Sequence, residues 1–153
     1  MKSLLLVRHA KSDWDDLHLA DHDRPLNARG KGDAPEMGRL LAEEGLVPDV
    51  ILSSTAARAR KTAELIAEAC GFEGRIGLTR ELYHAGPEEM LALLREAPES
   101  AACVMLVGHN PGMEEMIDWL TGESVRFTTA NIALIHLPLD RWADLDDETE
   151  GEL

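Results

Sequence analysis

Short apolar runs alternate along the chain with longer segments in which apolar residues recur at helical spacing. Three of these runs, Ser3–Val7, Asp49–Leu52 and Cys103–Val107, are nearly continuous, as is typical of strands buried on both faces of a sheet. Two further strands are predicted at Ile76–Leu78 and Ala130–Leu137. Because parallel strands need crossover helices, this alternation predicts an α/β fold: a three-layer α/β/α sandwich with a mainly parallel central sheet.

Four helices are predicted between the strands. The first begins at Asp33, because Asp33 and Glu36 form a capping-box pattern and Pro35 fits a first turn. Asn27 is predicted to cap a separate short turn just before that helix. The other three helices are expected at residues 56–69, 87–95 and 111–120.

The 153-residue chain is strongly acidic, with 15 Lys and Arg against 29 Asp and Glu and a formal net charge of −14. Nucleic acids and anionic membranes require a clustered basic face, and the net negative charge argues against either as a partner. The acidity is densest from Asp140 to Leu153, where seven acidic residues accompany a single arginine. We therefore predict one domain over residues 1–146 and a frayed acidic tail over residues 147–153.

The start of the chain carries no pattern typical of an export signal. Its apolar run Leu4–Val7 is followed at once by Arg8 and His9, which makes it too short for a signal-peptide core or a membrane span. Cys70 and Cys103 sit in apolar contexts without a CxxC pair, as is typical of buried thiols in a reducing compartment. A cytoplasmic location is therefore predicted.

Basic side chains and imidazoles follow three of the predicted strands. Arg8 and His9 follow the first strand, Arg58 lies in the first turn of the helix after the second, and His109 follows the fourth. Ligands of such sheets bind beyond the carboxyl ends of the strands, so these side chains are expected to converge on one mouth. Guanidinium groups and helix N-termini there suit a phosphate dianion.

A histidine in this mouth is expected to act as a nucleophile. Neighbouring arginine charges disfavour the imidazolium, so the ring should stay neutral near pH 7. Once the ring is phosphorylated, the same arginines would stabilise the negative charge of the adduct. Such covalent catalysis needs no metal, and no cofactor is predicted.

Three segments of the chain resemble the histidine phosphatase superfamily, also called the phosphoglycerate-mutase-like superfamily: Arg8-His9-Ala10, Ser54-x-x-x-Arg58-Ala59-x-x-Thr62 and Gly108-His109. Two more resemble its SixA branch of phosphohistidine phosphatases: Arg24-Pro25-Leu26-Asn27-x-Arg29-Gly30 and Val107-Gly108-His109-Asn110-Pro111-Gly112. The resemblance spans residues 3–137. It implies a phosphoglycerate-mutase-like fold, and the short chain leaves no room for a large lid insertion.

The resemblance also implies roles for individual residues. By motif, His9 is the nucleophile that takes the phosphoryl group. Arg8, Arg58 and His109 line the phosphate pocket, and His109 also stabilises the transition state. Ala10 departs from the glycine usual at its position in the superfamily, which is a small loss of backbone freedom.

Two assignments stay open at the sequence level. Glu81 falls in the segment where larger relatives carry their general acid, but a surface carboxylate is an equally good interpretation. The SixA branch is known for lacking an obvious acid, because the N–P bond of phosphohistidine is labile and solvent can protonate the leaving imidazole. Ser12 either donates a hydrogen bond to phosphate or caps its own loop.

The loop from Asp15 to Asp23 holds four aspartates and two histidines, which raises the hypothesis of a metal site. Catalytic Mg²⁺ usually needs only one or two carboxylates on rigid elements, whereas this segment has the composition of a flexible loop. No catalytic metal is therefore predicted.

The predicted function is a metal-independent phosphatase that works through a phospho-His9 intermediate. Its expected substrate is phosphohistidine on a protein, such as a phosphotransfer domain or a phosphocarrier. Two alternatives remain: a general phosphomonoesterase that uses the same site on small phosphate esters, and a phosphohistidine-binding module without turnover.

Overall fold

The computed structural model describes residues 1–12, 19–129, 131–146 and 148–153. Within these ranges five strands form one sheet: β1 (Lys2–Arg8), β2 (Val50–Ser54), β3 (Ile76–Thr79), β4 (Cys103–Gly108) and β5 (Ile132–Leu137). Their order is β3-β2-β4-β1-β5. The first four strands run parallel, and β5 pairs antiparallel with β1 at one edge. The predicted mainly parallel sheet is therefore confirmed.

Two layers of helices cover the sheet: α1 (Ala28–Glu43), α2 (Ala57–Cys70), α3 (Pro87–Arg95) and α4 (Gly112–Thr121). Alternate residues of β1 point to opposite faces, so Leu5 and Val7 pack with α1 and α2, while Leu4 and Leu6 pack with α3 and α4. This arrangement is the predicted three-layer sandwich. None of the helices in the described ranges is long and apolar enough to cross a bilayer.

The start of α1 differs from the prediction. Asn27 does cap a helix, since its side chain accepts a hydrogen bond from the Gly30 N–H at 2.9 Å, but that helix runs unbroken from Ala28 to Glu43. Pro35 therefore lies inside the helix and not in a first turn. A proline there cannot bond the carbonyl four residues earlier, and burial of the apolar face of α1 against α2 offsets that loss.

Backbone hydrogen bonds join the last residues of the chain to β5, while the expected fraying of residues 147–153 stays a prediction. The Glu152 N–H donates to the His136 carbonyl at 2.8 Å, and the His136 N–H donates back to Glu152 at 2.7 Å. The Gly151 N–H donates to the Leu120 carbonyl at 2.6 Å. The backbone can therefore pair with the outer edge of β5, while the Glu152 side chain stays in solvent.

Candidate active site

The strand order places β2, β4 and β1 side by side, so their carboxyl ends meet at one edge of the sheet. A cavity of about 460 Å³ opens there. The residues that line it include every predicted site residue except Glu81: Arg8, His9, Lys11, Ser12, Asp21, Arg58, His84, His109, Asn110 and Thr129.

His9 follows β1 and is buried, with 7% of its surface exposed. Its Nδ1 lies 2.7 Å from the carbonyl oxygen of Ala10. Since a carbonyl only accepts, Nδ1 carries the ring hydrogen and Nε2 carries the lone pair. The Arg58 Nε–H donates to that Nε2 at 3.3 Å. The ring atom able to attack an electrophile is therefore Nε2.

The charge state of His9 follows from its surroundings. Burial lowers its pKa to about 4, with the positive charges of Arg58 and Arg8 acting in the same direction and the hydrogen bond to Ala10 opposing them. The ring is therefore neutral near pH 7. The sequence predicts a neutral His9 from the neighbouring arginines alone, whereas in the structure burial is the larger cause of the lowered pKa.

His109 follows β4 and is the second imidazole of the cavity. Its ring centroid lies 5.1 Å from that of His9, and its Nε2 lies 2.9 Å from the hydroxyl of Ser54. Burial lowers the pKa of His109 to about 3, helped by the neighbouring His9 and Arg58. Its buried Nδ1 makes no hydrogen bond within the part of the chain that the structure describes.

Arg58 lies in the first turn of α2 and is held by Asp21. Its two terminal nitrogens donate to the Asp21 carbonyl at 2.6 Å and to the Asp21 carboxylate Oδ2 at 2.9 Å. The Tyr83 hydroxyl donates to the same Oδ2 at 2.6 Å. The hydrogen bond from Tyr83, together with Arg58, lowers the pKa of Asp21, which keeps this carboxylate ionised and the guanidinium oriented.

Arg8 ends β1 and also lines the cavity. Its Nη1 donates to the Phe127 carbonyl at 3.1 Å, and the Asn110 side chain donates to the same carbonyl. Glu114 accepts from the Phe127 N–H at 2.8 Å, so the loop that holds Arg8 is fixed by α4. The buried Arg8 Nε has no hydrogen-bond partner within the described ranges. An incompletely paired guanidinium of this kind favours a bound anion.

The structure does not bring Glu81 to the cavity. Glu81 is exposed on the 3₁₀ turn Arg80–Leu82, and a carboxylate there is solvated. His84, three residues further along, lines the cavity instead. Ser12 is buried at the cavity wall. The contribution of Asp21 could not be found by motif, because Asp21 and Arg58 lie 37 positions apart and meet only through the fold.

The metal hypothesis rested on a loop that is only partly described. Asp15, Asp16 and His18 lie outside the described residues. Asp21 binds Arg58, and the His22 Nε2 lies 2.8 Å from the hydroxyl of Thr55. In the ranges that the structure covers, no three His, Cys, Asp or Glu side chains gather in a way that could hold a metal ion.

The arrangement as a whole suits a tetrahedral anion. Two guanidinium groups border the cavity, and α2 and α4 both begin at its edge, where unpaired helix N–H groups attract negative charge. Gly112 lets α4 start this close to the preceding loop, since a Cβ there would collide with the carbonyl of Ala85. A neutral imidazole nitrogen beside a held anion can form a covalent bond to it.

Comparison with known proteins gives consistent results. Residues 4–83 match the family model of the histidine phosphatase superfamily (branch 1). An uncharacterized chloroplastic protein of Arabidopsis thaliana is 34% identical over 152 residues, which cover 94% of this chain and 70% of that protein. Two solved structures of candidate SixA phosphohistidine phosphatases are also similar. The structure from Agrobacterium tumefaciens has 35% identity and a TM-score of 0.80 over 88% of this chain and 90% of its own. The structure from Nakamurella multipartita has 29% identity and a TM-score of 0.82, and the match covers 99% of this chain and 94% of that one.

Proposed function

This chain belongs to the histidine phosphatase superfamily, and on that premise we propose that it is a metal-independent phosphatase acting through a phosphohistidine intermediate. One observation carries the proposal: His9 is a neutral imidazole whose Nε2 lone pair faces Arg58 in a cavity with a second arginine. This is the protonation state and tautomer that a nitrogen nucleophile requires.

In the first step, Arg8 and Arg58 bind the phosphoryl oxygens, and His109 lies beside the reacting group. The Nε2 lone pair of His9 attacks phosphorus as the bond to the leaving group breaks. His9 keeps its Nδ1–H on the Ala10 carbonyl, which stabilises the positive charge that the ring acquires. Arg58, which faces Nε2 in the free enzyme, moves to the phosphoryl oxygens when they arrive.

In the second step, water attacks the phosphorus of phospho-His9. The electron pair of the N–P bond returns to Nε2, so His9 regains its neutral form and inorganic phosphate leaves. The arginines neutralise charge on the phosphoryl oxygens in both steps, so the same site serves formation and hydrolysis of the intermediate.

Phosphohistidine on a protein, such as a phosphotransfer domain or phosphocarrier, is the proposed substrate. The similarity to the two candidate SixA phosphohistidine phosphatases supports this choice. So does the position of the cavity at the edge of a sheet with no large insertion over it in the described ranges, because a protein side chain can then enter. Small phosphate esters are the alternative substrates of the same site.

The test is phosphate release from a phosphohistidine-bearing protein in excess EDTA, with the wild-type chain and with His9→Ala. We expect activity in the wild type and none in His9→Ala. Loss of wild-type activity in EDTA would show that a metal is required and refute the mechanism. Release from sugar phosphates but not from the phosphoprotein would favour the phosphomonoesterase alternative. Binding of the phosphoprotein without release would indicate a binding module.

A further inference from the structure

His84 lines the cavity, yet the sequence motifs and the proposed mechanism leave it without a role. Its backbone φ is +62°, in the left-handed region, which is uncommon for residues other than glycine although asparagine, aspartate and histidine are enriched there. Such a conformation persists only where the surrounding structure imposes it. The fold therefore holds His84 at the cavity in a backbone conformation that few non-glycine residues adopt.

The ring of His84 is positioned by its neighbour. It packs on the ring of Tyr83, with centroids 4.0 Å apart and an angle of 36° between the planes. Tyr83 is itself fixed, since its hydroxyl donates to Asp21 and its ring meets the His109 ring edge-on at 5.5 Å. His84 also lines an adjoining cavity of about 260 Å³ together with His109 and Asn110.

A phosphoryl transfer needs one group that attacks phosphorus and another that assists the leaving group. The nucleophile and the leaving group lie roughly in line on opposite sides of phosphorus. Both imidazoles line the cavity, but His9 is buried whereas His84 is exposed to solvent. Because a leaving group carried by a protein must return to solvent, the exposed imidazole of His84 is the candidate to meet it.

Other described side chains that line the cavity are poorly suited to give a proton to that leaving group. Asp21 is held ionised by Tyr83 and Arg58, which lower its pKa. His109 has a pKa of about 3 and is neutral near pH 7. Lys11 offers a compact positive charge that suits phosphate binding. An imidazole can both give and take a proton, and His84 places one at the cavity.

We propose that His84 is the general acid and base of this site, a role that rests on the proposed phosphatase function. In the first step, protonated His84 gives its proton to the leaving nitrogen or oxygen as the bond to phosphorus breaks and the bond to His9 Nε2 forms. In the second step, neutral His84 takes a proton from the attacking water as the new P–O bond forms and the N–P bond breaks. His84 ends each cycle protonated, as it began.

The experiment compares two esters that differ in their need for a proton. Phenyl phosphate leaves as a basic phenolate, whereas 4-nitrophenyl phosphate leaves as a stable anion. For His84→Asn, which tolerates the left-handed backbone, we expect kcat/KM to fall about 10²-fold with phenyl phosphate and less than about threefold with 4-nitrophenyl phosphate. His84→Gly should show the same split and guards against a folding artefact of the asparagine.

His22→Asn is the matched control, because His22 also contacts the Tyr83 ring, at 4.9 Å, without lining the cavity. This substitution should change kcat/KM only slightly, and by the same factor with both esters. Equal losses of kcat/KM with both esters in the His84 variants would overturn the proposal. A loss confined to phenyl phosphate in Glu81→Gln, and absent from the His84 variants, would also overturn it. If the wild type hydrolyses the esters without forming a phosphoenzyme, the proposed function fails and this proposal fails with it.

Discussion

Strand β1 carries a cation at each end, and the two cations are held in different ways. At the amino end, buried Lys2 donates from Nζ to the Glu99 and Ala101 carbonyls at 2.7 and 2.9 Å and lies over the Trp142 ring. At the carboxyl end, Arg8 has one bond to a carbonyl, and its buried Nε has no partner in the described ranges. Lys2 is hydrogen-bonded within the protein and stabilises the fold, whereas the incompletely paired Arg8 is positioned to bind an anion.

The same contrast holds for the groups around each end. Trp142 donates to the Ala101 carbonyl at 2.8 Å, so the polar groups around Lys2 bind one another. Around Arg8, the buried His109 Nδ1 also lacks a partner among the described residues, and burial holds two imidazoles in their neutral form. Buried groups left incompletely paired lower stability, and they mark the place where a ligand completes the pairing.

Substitution by methionine at each end of β1 would test this contrast most strongly. Arg8→Met should lower kcat/KM by between about 10² and 10³-fold, because it removes a charge from the phosphate site. Its free energy of unfolding should change by less than about 1 kcal/mol, since a poorly paired cation is exchanged for an apolar side chain. Steady-state kinetics and denaturant titration measure the two quantities. A large loss of stability with normal activity would reverse our assignment of this end.

Lys2→Met should give the opposite result. It removes two charge-assisted hydrogen bonds to carbonyls, so we expect the free energy of unfolding to fall by about 2 kcal/mol. The kcat/KM of the folded protein should equal that of the wild type. Unchanged stability in a urea titration would show that the amino end is not a structural clamp.

The stability of the protein should depend on pH through the carboxyl end. Unfolded histidines take up protons below about 6.5, whereas folded His9 and His109 resist protonation until about 4 and about 3. The unfolded state then binds more protons, so stability is greatest above pH 6.5 and falls as the pH decreases from 6.5 toward 4. His109→Asn should make this slope shallower in thermal melts across that range. An unchanged slope would contradict the burial of His109.

A smaller effect is expected at Asp21. Asp21→Asn removes the charge that orients Arg58, and kcat/KM should fall about tenfold as the guanidinium loses its fixed geometry. Asp23→Asn is the matched control, because Asp23 is exposed and faces only His22 among the described residues. Similar losses in the two variants would show a general charge effect in place of a specific contact.

The sheet could be predicted from the sequence because its signal is local. A strand buried on both faces must be apolar at successive positions, and Cys103–Val107 is apolar at every position. The start of α1 was harder to predict, because Pro35 is a strong local signal for a helix start. Packing of α1 against α2 overrides that signal. The backbone pairing at Glu152 could not be predicted, since acidic side chains indicate solvent exposure but say nothing of backbone pairing.

The candidate site shows the same limit. Arg8, His9, Arg58 and His109 could be proposed because each follows a strand that the sequence reveals. Their roles remain predictions, although the fold gathers their side chains. Glu81 and His84 lie three residues apart, and only the turn between them decides which one lines the cavity. No periodicity encodes the direction of a side chain in such a turn.

The most direct test of the central claim is mass spectrometry of the intact chain after brief mixing with a phosphorylated substrate and an alkaline quench. We predict that the wild type gains one phosphoryl group, that the group maps to the peptide containing His9, and that acid removes it. His9→Ala should gain none. Turnover without a phosphorylated chain, or a phosphoryl group on His109 in place of His9, would contradict the account.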